Sequence, residues 1–293
     1  MGLAFKKIGL IGRYADDSLG EYLNNIIEHL QKHKVEVYVD QATVDATPVK
    51  GAKSPFETLA RPELGNHCEL VVVIGGDGTL LNAARSLVEY DVPLIGINMG
   101  RLGFLTDIST DQIFSRLDEV LAGQYVSEDR SLLSAVIYRE GAEISRNIAL
   151  NDVVIHKWEE ARMLEFDTAI DGHFVNSQRA DGLIISTPTG STAYALSGGG
   201  PILHPTLSTV TLVPICPHTL SQRPLVIDGH SEVEVTISDS GHGQARVTCD
   251  GQIVMGVSPN DKIRIGPYER KVKLLHPADY NYFELLRAKL HWG

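Results

Sequence analysis

The sequence lacks the features that mark secreted, disulfide-rich and membrane proteins. Its three cysteines, Cys68, Cys216 and Cys249, are far apart and form no CxxC pair, which argues against a disulfide framework or a thiolate zinc site and predicts small core residues. No run of about 18 apolar residues is present, and the apolar stretch at the start is too short for a signal peptide. We therefore expect a cytoplasmic protein without a membrane segment.

The sequence also lacks an excess of positive charge. It has 26 Lys and Arg residues against 37 Asp and Glu residues, a net charge of −11. A nucleic-acid-binding face would show clustered basic residues, so we expect no nucleic-acid partner. Any anionic ligand must instead be held by local groups. The eleven histidines form no HExxH pattern, and most of them, including His204 and His218, are interpreted as surface or structural groups.

The most informative stretch that is present combines a buried strand, a glycine turn and a helix start. Leu70 to Ile74 is a continuous apolar run typical of a parallel strand, and Thr79 to Leu87 has apolar residues at helical spacing. Gly75, Gly76 and Gly78 lie between them, where their backbone amides and the helix N-terminus can face an anion. The pattern predicts a phosphate site.

Asp77 lies inside this glycine turn. A carboxylate would repel a phosphate unless it binds a metal ion or accepts a proton, but an Asp before a helix is also a common N-cap. Both interpretations remain open from the residues alone. The turn matches neither the GxxxxGK(S/T) loop nor an unambiguous GxGxxG fingerprint, so neither of those nucleotide-binding mechanisms can be assumed.

The order of patterns predicts an α/β protein with two domains and a tail. Residues 1–124 alternate strands and helices in a Rossmann-like arrangement, interrupted by a Pro- and Gly-containing stretch, Gln41 to Asn66, which we interpret as a mobile flap or a disordered loop. Residues 125–275 read as short strands with turns at Asp171-Gly172 and Asp250-Gly251, a β-sandwich-like domain. Residues 276–293 regain helical spacing and are expected to pack on the first domain.

Polar residues in the β-rich half suggest a second binding region. The run from Asp181 to Tyr194 is rich in Thr, Ser and Gly, which suits a sugar, a base edge or a phosphate, although hydroxyl caps at a helix start would also explain it. Asn151 and Asp152 precede an apolar strand and fit either a turn or a ligand contact. Arg179 and Asp181 either pair with each other or bind opposite ends of a polar ligand.

Together these stretches resemble the NAD kinases, especially the bacterial type. The resemblance covers most of the chain and rests on GGDGT, NMGRLGFLTD, NDVVIH, DGLIISTPTGSTAYALSGGGP and PHTLSQRPLVI. GGDG alone is shared with phosphofructokinases and with diacylglycerol and sphingosine kinases, so it indicates only the superfamily. The run from Asp181 to Tyr194 is shared by far fewer proteins and indicates the family.

The resemblance implies transfer of the ATP γ-phosphoryl group to the 2′-hydroxyl of the adenosine ribose of NAD, which gives NADP. It implies Asp77 as the proton acceptor, a triphosphate cradle of Gly75, Gly76 and Gly78, and a divalent ion, Mg²⁺, whose protein ligands the sequence does not identify. The positions that it implies for NAD binding are Phe104, Leu105, Asn151, Asp152, Arg162, Arg179, Asp181, Thr189, Thr192, Ala193, Tyr194, Ser197 and Gln252.

The resemblance further implies a homo-oligomer, a dimer or tetramer, formed through the β domains. A lipid or sugar kinase that shares only GGDG is the alternative enzyme, and a dinucleotide sensor without catalysis is the alternative from another class. The sequence does not decide between NAD and NADH, between ATP and polyphosphate, or which ligands regulate the protein.

Overall fold

A computed structural model describes residues 2–12, 19–47, 55–100, 102–158, 163–219, 221–238 and 245–292. The chain forms two compact units. Unit 1 comprises Met1–Asp129 and Val272–Gly293, and unit 2 comprises Arg130–Lys271. The C-terminal segment therefore belongs to the same unit as the N-terminal half.

Unit 1 is built on a parallel sheet. Its strands are β1 (Lys7–Gly12), β2 (Glu36–Asp40), β3 (Glu57–Leu59), β4 (Leu70–Gly75), β5 (Leu94–Asn98) and β6 (Ile108–Ser109). They follow the order β3-β2-β1-β4-β5, with β6 beside β5, and Ile8 in β1 pairs with Val37 in β2 on one side and with Leu70 in β4 on the other. Every residue of β4 is buried, as expected for a central strand covered on both faces.

The helices of unit 1 are α1 (Leu19–Lys32), α2 (Gln41–Ala46), α3 (Arg61–His67), α4 (Asp77–Leu87) and α5 (Ile113–Leu121). Helix α1 buries Leu23, Ile26, Ile27 and Leu30. Their spacing in the sequence places these side chains on one face of the helix. They join the core with β1, β2 and β4 residues such as Ile8, Val37 and Leu70. The predicted alternation of strand and helix is confirmed.

The interpretation of Gln41 to Asn66 as a loop without regular structure is wrong for the part that the structure describes, and its mobility stays a prediction. The helices α2 and α3 and the strand β3 lie there, and residues 48–54 lie outside the described ranges. Pro62 occupies the first turn of α3, where a missing N–H is tolerated. Arg61 then donates to both carboxylate oxygens of the buried Asp40, at 3.0 and 2.9 Å, so this segment is anchored to the end of β2.

Unit 2 consists almost entirely of antiparallel strands. Those lying wholly within it are β8 (Ala142–Ala149), β9 (Asp152–Lys157), β10 (Leu164–Ile170), β11 (His173–Ala180), β12 (Gly182–Ser186), β13 (Thr209–Ile215), β14 (Leu225–Asp228), β15 (Val233–Ile237), β16 (Ala245–Cys249) and β17 (Ile253–Val257). Two long strands, β7 (Tyr125–Arg139) and β18 (Lys262–Pro277), run from one unit into the other. The helices are completed by α6 (Tyr194–Ser197) in unit 2 and α7 (Tyr282–Leu290) in unit 1.

One sheet of unit 2 has the order β14-β13-β12-β9-β16-β17, and a second set of strands runs β11-β10-β15-β18. A single buried core joins side chains of both sets, for example Ile155 and Val247 with Phe166 and Val235. This confirms the predicted sandwich-like character. The hairpins at Asp171-Gly172 and Asp250-Gly251 are confirmed by positive φ at all four residues and by the β10–β11 and β16–β17 pairings.

The cysteine prediction is only partly right. Cys68 and Cys249 are buried, but Cys216 is exposed, in a turn after β13 where its φ is 46°. No helix in the described ranges is long and apolar enough to cross a membrane.

Candidate active site

The glycine turn joins β4 to α4. Gly76 is the N-cap of α4 and Asp77 is the first helical residue, and no side chain caps the helix. The N-cap interpretation of Asp77 is therefore wrong. A Cβ atom built on Gly76 would meet no atom within 4 Å, so the space in front of the turn is open to a ligand that approaches the backbone closely.

The Asp77 carboxylate instead binds the segment that follows β5. Its Oδ1 atom accepts hydrogen bonds from Leu105 N at 3.0 Å, Thr106 N at 3.1 Å and Thr106 Oγ1 at 3.0 Å. Its Oδ2 atom accepts one from Phe104 N at 2.8 Å. The two motifs GGDGT and NMGRLGFLTD are thus joined by a half-buried carboxylate, and Oδ2 has the fewer donors.

Gly103 makes this approach possible. A Cβ atom there would lie 2.0 Å from Asp77 Oδ1 and 2.4 Å from Thr106 Oγ1, which no side chain can occupy. The segment is fixed further by Asn98, whose Nδ2 donates to Thr106 Oγ1 at 2.9 Å and whose Oδ1 accepts from Gly100 N at 2.7 Å. These hydrogen bonds link both the start of the loop, at Asn98 and Gly100, and its end, at Thr106.

The C-terminal helix contacts the same loop. Lys289 Nζ donates to the carbonyl oxygen of Leu102 at 2.5 Å and lies 5.4 Å from the centre of the Phe104 ring. Phe104 is half-buried, whereas Leu105 is only 4% exposed. Of these two side chains, Phe104 therefore presents the larger surface to a ligand. Lys289 was not recognised from the sequence, because contact between residues so far apart in the chain leaves no local pattern.

In unit 2, Asp250 organises the Asn151-Asp152 pair. Its carboxylate accepts from Leu150 N at 3.1 Å, Asn151 N at 2.7 Å and Asp152 N at 3.2 Å. Gly190 packs directly on the same segment, since a Cβ atom there would lie 2.1 Å from Asn151 O. Asp250 was interpreted only as a hairpin residue, and the sequence gave no signal of its contact with a segment 98 to 100 residues earlier.

Asp152 has unusual electrostatic surroundings. It is 4% exposed, and burial, with a further contribution from the negative charge of Asp250, raises its pKa to about 7. Burial and the nearby positive charge of Arg246 lower the pKa of His156. Near neutral pH, Asp152 therefore exists partly as a protonated acid that can donate a hydrogen bond.

These residues line a cavity of about 470 Å³. Its described wall contains four of the predicted site residues together with side chains of β9, β16 and β17: Asn151, Asp152, Val154, His156, Ala193, Tyr194, Arg246, Thr248, Asp250, Gly251 and Val254. Tyr194 is 48% exposed and offers an aromatic face. The predicted residues Thr189, Thr192, Ser197 and Gln252 are not among the residues that line it.

Arg179 and Asp181 do not pair with each other. Arg179 Nε lies 2.8 Å from Glu165 Oε1, and Lys157 Nζ lies 2.7 Å from Asp181 Oδ1. The first of the two interpretations, a mutual ion pair, is therefore wrong. Arg179 lies opposite Glu165 in the β10–β11 pair, whereas Asp181 lies between β11 and β12. Arg162 lies outside the described residues.

Much of the hydroxyl-rich run bonds to backbone rather than pointing to a ligand. Thr187 Oγ1 donates to Leu150 O at 2.6 Å, and Ser191 Oγ donates to Pro188 O at 2.7 Å. A short 3₁₀ turn, Thr189–Thr192, precedes α6. Neither the 3₁₀ turn nor α6 has a side-chain cap, so the interpretation of this run as helix capping is wrong for these hydroxyls. The bond from Thr187 holds the run against the segment that carries Asn151.

Comparison with known proteins identifies the family. The sequence model of the ATP-NAD kinase N-terminal domain matches residues 8–125, and that of the ATP-NAD kinase C-terminal domain matches residues 150–276. The chain belongs to the ATP-NAD kinase family. Two curated relatives named NAD kinase, from Chromohalobacter salexigens and Teredinibacter turnerae, are each 48% identical over 99% of this chain and over 97% and 98% of their own lengths.

Solved structures of NAD kinases share the fold. The crystal structure of yeast NADH kinase in complex with NADH matches 97% of this chain and 86% of that chain, with a TM-score of 0.85 and 25% identity. An NAD kinase from Archaeoglobus fulgidus, solved in complex with ATP, matches 98% of this chain and all of that chain, with a TM-score of 0.76 and 26% identity. The resemblance inferred from the motifs is confirmed.

Proposed function

We propose that this member of the NAD kinase family transfers the γ-phosphoryl group of ATP to the 2′-hydroxyl of the adenosine ribose of NAD. The observation that carries the proposal is the Asp77 carboxylate, which lies at an open glycine turn and is held by three backbone amides and one hydroxyl. Relatives named NAD kinase, and structural neighbours solved with NADH and with ATP, support the same reaction.

In this proposal Asp77 Oδ2 accepts the proton of the ribose hydroxyl. A ribose hydroxyl is a weak nucleophile at neutral pH, so a carboxylate within hydrogen-bond distance must orient it and take its proton. Oδ1 already accepts three hydrogen bonds and Oδ2 only one, which leaves Oδ2 as the oxygen able to accept another. The bonds to Oδ1 then keep the carboxylate in position during turnover.

The described residues do not form a protein cage for Mg²⁺ beside the glycine turn. Both Asp77 oxygens accept hydrogen bonds. Among the described residues, the only group of three or more His, Cys, Asp or Glu side chains with converging ligand atoms lies at the end of α1 and on α5. Mg²⁺ usually keeps several waters and is bound largely by substrate phosphates in such enzymes. We propose that it is carried by the ATP oxygens, and we assign it no protein ligand.

We propose the unit 2 cavity as a dinucleotide-binding pocket. Its volume of about 470 Å³ suits part of a dinucleotide, and its wall combines the exposed Tyr194 ring with the polar groups of Asn151 and Asp152. An aromatic ring can stack on a base, and a protonated Asp152 can donate to a sugar oxygen or base nitrogen. Asp250 acts as a positioning residue, because it holds the backbone that carries Asn151 and Asp152.

The remaining contacts stay predictions. They are the phosphate cradle of Gly75, Gly76 and Gly78 and the NAD contacts of Phe104, Leu105, Arg162, Arg179, Asp181, Thr189, Thr192, Ser197 and Gln252. A homo-oligomer through unit 2 is also proposed, supported by exposed apolar side chains at Ile144, Phe174 and Val175. The cytoplasmic location likewise stays a prediction.

Product analysis tests the proposed function. The purified chain, incubated with NAD, ATP and Mg²⁺, is expected to make NADP phosphorylated at the 2′ position of the adenosine ribose, identified by mass and by NMR of the ribose. NADH and polyphosphate in parallel reactions define the acceptor and the donor. Binding of NAD by calorimetry without product after long incubation would contradict the proposal and favour a sensor.

A further inference from the structure

A cluster of two histidines and one aspartate lies on the surface of unit 1, separate from the glycine turn. His29 is in the last turn of α1, His33 follows that helix in the next turn, and Asp118 lies on α5. Both imidazole rings point toward α5, since the Nε2 atom of each lies within 3.2 Å of Asp118 Oδ1. Their ring centres are 5.0 Å apart.

The ligand atoms of these side chains converge. His29 Nε2 and His33 Nε2 lie 2.7 and 3.2 Å from the same oxygen, Asp118 Oδ1, and the three ligand atoms all lie within 4.8 Å of one another. Nitrogen ligands at about 2.0 to 2.1 Å from a tetrahedral zinc ion are about 3.3 Å apart. Small side-chain rotations therefore suffice to place all three atoms around one ion.

Two local features favour a cation, and the lysines that flank His33, Lys32 and Lys34, are both exposed to solvent. The histidines lie at the C-terminal end of α1, where the helix dipole is negative, and Asp118 contributes a full negative charge. Arg116, the basic residue nearest to Asp118 in sequence, is paired with Glu119 at 2.9 Å and with Asp279 at 2.8 Å, so carboxylates offset its charge. The Phe114 ring packs 4.9 Å from the ring of His29 and restricts its rotation.

We propose that His29, His33 and Asp118 bind a divalent transition-metal ion of the zinc type, with water in the fourth position. Two imidazole nitrogens and one carboxylate oxygen suit Zn²⁺, Co²⁺ or Ni²⁺ and do not suit Mg²⁺, which prefers oxygen ligands. The bound ion joins the end of α1 to α5. It is distinct from the Mg²⁺ expected with ATP, and the inference does not depend on the proposed function.

Zn²⁺ titration of the full-length, tag-free protein by calorimetry tests this site. Cys216→Ser is the parent protein for this test, and every variant carries it too, so that the exposed thiol does not bind the ion. His33→Ala and Asp118→Asn remove ligands at positions whose side chains are 41% and 48% exposed, so the fold is retained. His230→Ala and Asp111→Asn are matched controls, since both are exposed and neither belongs to the cluster.

One saturable Zn²⁺ site is expected in the parent and in both controls. Loss of either ligand should weaken its affinity at least about tenfold. Zn²⁺ should also raise the melting temperature of the parent, because the ion binds only the folded arrangement, and this shift should disappear in His33→Ala and Asp118→Asn. Mg²⁺ should produce neither effect. Equal Zn²⁺ affinity in all variants, or no saturable binding by the parent, would overturn the proposal.

Discussion

Asp77 in unit 1 and Asp152 in unit 2 are acidic residues of two different motifs, and their surroundings are opposite. The Asp77 carboxylate is half-buried and accepts four hydrogen bonds. The Asp152 side chain is buried beside a second carboxylate, that of Asp250. The backbone N–H groups of residues 150–152 donate to Asp250 and not to Asp152. One site is arranged to hold a carboxylate in place, and the other resists ionisation of its acid. The comparison predicts different consequences for removing each charge.

The largest effect is expected for Asp77→Asn. If Asp77 accepts the ribose proton, this variant should lose about 10²- to 10⁴-fold in kcat, while NAD binding measured by calorimetry changes little. The side-chain amide of Asn also places an N–H group opposite the N–H of Phe104. Because two donors then face each other without an acceptor, a lower melting temperature is expected. Steady-state kinetics of NADP formation at saturating substrates provide the measurement.

Thr106→Val separates catalysis from loop positioning at this site. It removes one donor to Asp77 Oδ1 and the acceptor of Asn98 Nδ2, and it leaves the carboxylate in place. We expect a modest loss of stability and less than about tenfold loss of kcat, since proton acceptance by Oδ2 remains available. If Thr106→Val lost as much activity as Asp77→Asn, the carboxylate would act by holding the loop, and its role as proton acceptor would be rejected.

The second largest effect is expected for Asp152→Asn, as a change in stability with pH. The pKa of Asp152 is raised from its ordinary value of about 4 to about 7. Between these values the unfolded chain loses this proton while the folded chain keeps it, so the free energy of unfolding falls as pH rises and levels off above about pH 7. Asn lacks this penalty. Relative to the parent, the variant should gain roughly 2 to 4 kcal/mol between about pH 4 and pH 8.

Urea denaturation of both proteins across this pH range measures the difference. Asp111→Asn, at an exposed site, serves as the control. Parallel stability curves for the parent and Asp152→Asn would show that the acid is not protonated in the folded protein.

Both sites show what a sequence can and cannot reveal. The strand, glycine turn and helix around Asp77 were predictable, because apolar runs and glycines act over a few residues. The partners of Asp77 lie 27 to 29 residues later, and those of Asp250 lie about 100 residues earlier. These bonds use backbone amides, which every residue except proline has, so no residue type identifies them. The helix α3 was not predicted because a proline in the sequence usually indicates the end of a helix. Pro62 instead occupies the first turn of α3, which tolerates proline.

A smaller effect is expected for Gly103→Ala. The added Cβ would lie 2.0 Å from Asp77 Oδ1, so the loop must shift away from the carboxylate. We expect a loss of roughly 1 to 3 kcal/mol in the free energy of unfolding and a lower kcat. Gly100→Ala is the matched control in the same loop, because a Cβ atom there would meet nothing within 4 Å. Similar losses in both variants would place the effect in general loop flexibility rather than in the contact with Asp77.

The smallest effect is expected for Asp250→Asn, which separates the two causes of the raised pKa of Asp152. Burial is the larger cause and the charge of Asp250 the smaller. Asn removes that charge, tolerates the left-handed backbone at this position, where φ is 52°, and keeps one oxygen for the amides of residues 150–152. The pH above which the unfolding free energy levels off should therefore move below about 7 and remain above the ordinary value of about 4. If the pH at which the unfolding free energy levels off did not change, burial alone would cause the raised pKa of Asp152. If that pH fell to the ordinary pKa of about 4, repulsion by Asp250 would be the dominant cause.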